Sequence, residues 1–146
     1  MLFKRLNRTD AERVFAVFQA NVANIAADDV VQLELTAASV DGVKVIQPTA
    51  AQLHATVGLA DAAIANGAYG LVQIYGYRST SRILQSGSTL PCGVGLVAVA
   101  AQDWLDTISL AGTPGFLFPG FTLLETAASA AGANSTISKK VFIRMM

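Results

Sequence analysis

Tyr69-Gly70-Leu71-Val72-Gln73-Ile74-Tyr75-Gly76-Tyr77-Arg78 changes character with a period of two. In an extended chain Tyr69, Leu71, Gln73, Tyr75 and Tyr77 fall on one face and Val72 and Ile74 on the other. Aromatic and β-branched side chains suit a pleated, half-buried surface, so the stretch is expected to be a strand with one face on the core. Tyrosines followed by Arg78 and Arg82 also suit a docking surface, since Tyr and Arg give large amphipathic contacts at interfaces. Tyr75, Tyr77, Arg78 and Arg82 are therefore candidate interface residues, the alternative being a solvated sheet face with ordinary surface arginines.

The neighbouring segments repeat the same period. Ala55 to Leu59 is expected to pair with Leu71 to Tyr77 across a loop holding Asn66-Gly67. Val31, Leu33 and Leu35 alternate with Gln32 and Glu34, and beyond Asp41-Gly42 Val43 and Val45 flank Lys44, which reads as a hairpin. Val94 to Ala100, Trp104 to Leu110 and Phe116 to Leu124 are short apolar runs, the last broken by Pro119-Gly120. Val141, Ile143 and Met145 alternate with Lys140 and Arg144, Phe142 shares the charged face, and this strand is expected to close the sheet; Thr126 to Thr136 reads as a loop.

The start of the chain reads differently. Thr9 and Glu12 have the spacing of a capping box, and Val14, Phe15, Phe18, Val22 and Ile25 recur on one helical stripe, which predicts an amphipathic helix over Asp10 to Ile25. Helices do not recur between strands, so a parallel βαβ sheet is disfavoured. The expected fold is mainly β, a small barrel or sandwich of short antiparallel strands preceded by that one helix, with residues 1–28 as an N-terminal helical arm and 29–146 as the β-barrel domain.

Composition bounds what such a fold can do. The 146 residues and 15.2 kDa suit one domain, and 53% apolar with 14% charged residues excludes intrinsic disorder. Ten basic and ten acidic residues cancel, leaving no field for a phosphate backbone, so nucleic acid is not an expected partner. One cysteine, Cys92, and one histidine, His54, cannot make a disulfide framework or a Cys/His metal site within the chain. The opening Met1 to Arg8 carries charges where a secretory signal has its apolar stretch, so export by that route is not expected. The uncharged stretches Ile83 to Gln102 and Thr107 to Leu124 are interrupted by prolines, glycines and polar residues, so no membrane helix is expected. From Ile83 to Ser138 the only charges are Asp103, Asp106 and Glu125, a surface suited to burial against other subunits or to a closed barrel rich in small residues.

No motif commits the chain to chemistry. Gly93-Val94-Gly95-Leu96-Val97-Ala98 fits G-x-G-x-x-A, yet Pro91 stands where the preceding strand belongs and Val97 and Val99 favour extended chain, so a buried strand is expected in place of a nucleotide loop. His54 reads as a structural imidazole, Cys92 as a buried inert thiol, and Asp103 and Asp106 as a polar loop beside Trp104 in preference to a paired acid and base. No catalytic, cofactor-binding or metal residue is expected, and the chain is not expected to be an enzyme.

Val57 to Gly76 combines a V-G-x-A strand, an I-x-x-G-x-x-G loop (Ile64, Gly67, Gly70) and a V-x-I-x-G strand (Val72, Ile74, Gly76). This succession resembles the central motif of tailed-bacteriophage capsid decoration (cement) proteins. The apolar stretch Gly120 to Glu125 and the closing strand Val141 to Arg144 echo the same family. The resemblance implies a β-barrel subunit, usually a homotrimer, bound to the major capsid protein on the outer face of an assembled shell, with no catalytic residue. On that reading Val14, Phe15, Phe18 and Val22 pack on the barrel or on symmetry mates, and Arg78 and Arg82 lie near the shell contact. The alternatives are a head or tail accessory subunit such as a fibre base and, from another class, a small-ligand-binding β-barrel.

Overall fold

Short runs of β-branched and aromatic residues, parted by turns, become strands throughout the computed structural model, which describes residues 12–35, 42–85, 88–107, 120–128 and 135–145. Among these, β1 is Arg13–Ala20, β2 Val30–Leu33, β3 Lys44–Ile46, β4 Thr56–Ala60, β5 Tyr69–Arg78 and β6 Arg82–Gln85. Then follow β7 Gly95–Ala98, β8 Leu105–Thr107, β9 Phe121–Leu123, β10 Ser135–Ser138 and β11 Val141–Arg144. They form one hydrogen-bonded sheet in the order β1-β3-β2-β4-β5-β11-β9-β7-β8-β6-β10, and β1 also pairs with β5, closing the first five into a barrel.

The expected helix is not there. The described residues contain no α-helix, and Arg13–Ala20 is a strand, antiparallel to β5 from Arg13↔Gly76 to Gln19↔Tyr69 and parallel to β3 at Gln19↔Lys44. Thr9 and Asp10, the expected helix start, lie outside the described residues. Val14, Phe18 and Val22 are spaced by four, which suits one helical stripe and one strand face equally. Closing a barrel decides the matter, because without β1 both β3 and β5 would keep a bare edge.

The hairpins form as expected: β2 pairs antiparallel with β3 (Leu33↔Val45) and β4 with β5 (Ala60↔Val72). Leu96 and Ala98, inside the G-x-G-x-x-A pattern, are buried on β7, a strand as read. Parts of the runs Trp104 to Leu110 and Phe116 to Leu124 lie outside the described residues; the parts inside are β8 and β9.

Two cores share one wall. Val31, Val45, Ala60, Ile64 and Val72 pack inside the barrel. Val30 and Leu59, from the opposite faces of β2 and β4, join Ile83, Leu96, Leu105, Phe121, Leu123, Val141 and Ile143 in a second core. The second core is wrapped by a bent ribbon: β5 runs on into β6 and β10 into β11, with Arg78↔Val141 paired before the bend and Arg82↔Ser138 after it.

Candidate functional site

The motif glycines build the fold. A Cβ at Gly58 would overlap the carbonyl oxygen of Gln73, and one at Gly76, where φ is +100°, would overlap the carbonyl oxygen of Glu12. Gly58 lets β4 lie close on β5, and Gly76 lets the start of β1 cross it. The motif thus specifies the closure of the barrel, and any docking chemistry must come from other side chains.

Tyr69 to Tyr77 does not keep one face throughout. Phe15 pairs with Gln73 but Val14 pairs with Tyr75, a bulge that turns Gln73 and Tyr75 to opposite sides of the sheet. The residues before and after it therefore belong to two different surfaces.

The first surface is an apolar strip on the outside of the barrel. Val17 and Leu71 are cross-strand partners and keep 59% and 47% of their surface exposed; Phe15 at 36% and Tyr69 at 63% flank them. Val22 lies beyond the end of β1, 75% exposed with φ at +75°. The second surface lies where β4 leaves the edge of β5 after Leu59↔Gln73 and β11 takes its place. Val14, Tyr75 and Arg144 form one cross-strand row and Tyr77, Phe142 and Thr122 the next. The rings of Tyr75 and Phe142 meet edge to face at 5.3 Å, and the Arg13 guanidinium lies 5.8 Å from the Tyr77 ring centre.

The eight interface residues read from the sequence are thus dispersed. Phe15 is on the strip, Val14, Tyr75 and Tyr77 are on the second surface, Val22 is at the loop tip, and Phe18 packs against the barrel core. Arg78 is buried: its Nη2 is 2.5 Å from Asp28 and donates to the Ala60 carbonyl at 3.0 Å, and its Nη1 reaches Asp61 at 3.0 Å. Arg82, half-buried, pairs with Asp103 and lies 3.6 Å from Asp29. Burial raises the Asp29 carboxyl above its ordinary value and nearby Asp103 adds to this, while the hydrogen bond from the Ala26 N–H and the Arg82 charge oppose it.

Residues the sequence reading passed over also take part. Val17 appears once Arg13–Gln19 is read with period two, and Arg144 and Phe142 share a face that was legible from alternation alone. Cys92 is exposed, contrary to the expected burial, because it sits in the turn before β7. His54 is exposed in the 3-10 turn Leu53–Ala55. Asp103 and Asp106 take separate partners, Arg82 for the first and the Thr107 backbone N–H for the second. Among the described residues no group of three His, Cys, Asp or Glu is placed to hold a metal ion, and no helix is long and apolar enough to cross a membrane.

No protein-family model matches the sequence, and comparison with curated proteins gives no match. Among solved structures the chain is similar to the N base of head fiber gp8.5 of bacteriophage phi29, at 12% identity and a TM-score of 0.48, over 92% of this chain and 96% of that one. This is a loose likeness of overall course and transfers no role.

Proposed function

We propose that the chain is a structural accessory subunit of a tailed-phage head, bound to the outer face of the assembled shell. The observation that supports it most directly is the apolar strip: Val17 and Leu71 sit opposite each other on two strands of a closed barrel, held there by backbone pairing. Covering apolar surface is favourable by roughly 25 cal/mol per Å². A subunit that binds only the assembled shell lowers the free energy of that state by its own binding free energy, repeated at every copy. The motif of Val57 to Gly76 supports the same setting.

Two forms of the role are open. In one, a homotrimer cements neighbouring capsomers of the major capsid protein; in the other, the barrel is the base that roots a fibre on the head. The likeness to the phi29 fiber base does not decide between them. Co-sedimentation with expanded empty heads tests the shared part. Wild-type protein is expected to pellet with heads, and Val17→Thr/Leu71→Thr to stay largely in the supernatant with only a small change in melting temperature, since about half of each side chain already meets water and threonine suits a strand. A wild type that ignores heads, or a double variant that pellets as well as wild type, overturns the reading. Light scattering of the free protein then separates a trimer from other states.

A further inference from the structure

The second surface has a chemistry of its own. The face of β1, β5, β11 and β9 that carries Val14, Tyr75, Tyr77 and Phe142 lines the barrel wall beyond the point where β4 stops opposing it, and these side chains are half-buried. Strands β1, β5, β9 and β11 contain Arg13, Arg78 and Arg144 and no acidic residue. Arg78 is engaged with Asp28 and Asp61. Arg13 and Arg144 are exposed, and neither has a carboxylate within ion-pair distance among the described residues. Arg13 is steadied over the Tyr77 ring and Arg144 stands in register with Tyr75, so two guanidinium groups border an aromatic floor.

We infer that this platform docks a carboxylate-bearing protein segment, its aromatic rings seating the segment's apolar parts while Arg13 and Arg144 take its acidic groups. A planar guanidinium pairs with a carboxylate through two parallel hydrogen bonds, and a neighbouring ring keeps it in place at little entropic cost. Aromatic rings with arginines also suit single-stranded nucleic acid, but that mode needs a basic groove tracking many phosphates. Among the described residues two guanidinium groups face out beside the rings, on a chain of zero net charge. The inference rests on the accessory-subunit reading only for where such a segment is met.

The test is an NMR titration of the full chain with an acetylated, amidated peptide of four glutamates around one leucine, beside its lysine counterpart and an oligothymidylate. Shifts are expected at Tyr75, Tyr77 and Phe142 with the glutamate peptide alone, fading as NaCl is raised from about 50 to about 500 mM because the contacts are screened. Arg13→Gln/Arg144→Gln is expected to weaken that binding about tenfold while its amide spectrum elsewhere stays that of the wild type. No response to the glutamate peptide, a response equal in the double variant, or stronger binding of oligothymidylate overturns the inference. The titration contains no heads, so it fails or succeeds separately from shell binding.

Discussion

Val22 carries two unfavourable features at once: a β-branched side chain at φ +75° and 75% exposure to water. Its neighbours leave it no choice, since Asn21 N–H donates to Val45 O at 2.9 Å and Ile25 N–H to Ile64 O at 2.9 Å, fixing the chain on either side. A β-branched residue in the left-handed region costs on the order of 1–2 kcal/mol, whereas Asn adopts it readily. Val22→Asn is therefore expected to raise stability by about 1 kcal/mol in urea unfolding. If head binding falls in the same variant, the strained valine serves the contact; if it does not, Val22 has no part in docking. Asp29 poses an electrostatic question. Its folded-state carboxyl is raised, mainly by burial, so its favourable contribution is complete below the ordinary value of 3.8 and is lost as pH rises through the raised value. At neutral pH the ionised group weighs against the fold. Wild type should gain stability relative to Asp29→Asn as pH falls from about 7 to about 4, and urea midpoints of the two proteins across that range check it. A difference that is flat with pH would show that Asp29 does not titrate as its burial requires.

Among the elements, the turn holding Asp28, the end of β4 and the end of β5 are joined through one side chain, Arg78. A buried guanidinium is tolerable because its donors are taken, and removing it strands two carboxylates that partly reach solvent. Arg78→Met is expected to cost about 2–4 kcal/mol, and Arg78→Met/Asp28→Asn less, since the second change removes the more buried of the two orphaned charges. Chemical unfolding of both variants measures the recovery; a double variant as unstable as the single would place the cost in packing. From the sequence, strands with strict alternation and a turn signal between them were readable: β2 and β3 around Asp41-Gly42, β4 and β5, and β11 with Phe142 on its charged face. β1 was not, because residues four apart repeat in both helix and strand, and only its pairing with β5 distinguishes them. β10 was hidden for another reason: Ser135-Thr136-Ile137-Ser138 has one apolar side chain and becomes a strand through its partner β6. The bulge between Gln73 and Tyr75 left no composition signal either, so two surfaces looked like one, and Arg78 looked like a surface arginine although Asp28 and Asp61 lie far from it in sequence.

In the whole molecule, the barrel core and the second core have one wall in common, with Val31 and Ala60 facing one way and Val30 and Leu59 the other. The chain also threads back and forth between the two, since β6 to β10 enclose the second core and β11 returns to pair with β5. Neither core can therefore lose its packing without exposing the back of the shared strands to water. The expected consequence is one cooperative unfolding transition. Trp104, the single tryptophan, sits beside Leu105 of the second core and reports on that side alone. Val45→Ala empties space in the barrel core, where Val45 is fully buried, and should cost about 1–3 kcal/mol. If the shared wall couples the cores, that barrel variant shifts the Trp104 fluorescence midpoint by as much as it shifts the far-ultraviolet signal of the whole sheet, and Leu59→Ala, acting from the other side, shifts both together as well. A Trp104 transition that stays in place while the far-ultraviolet signal moves would show two independently folding halves. Rigidity across the wall bears on the proposed role, because a force applied at the strip on β1 and β5 would then be borne by both cores.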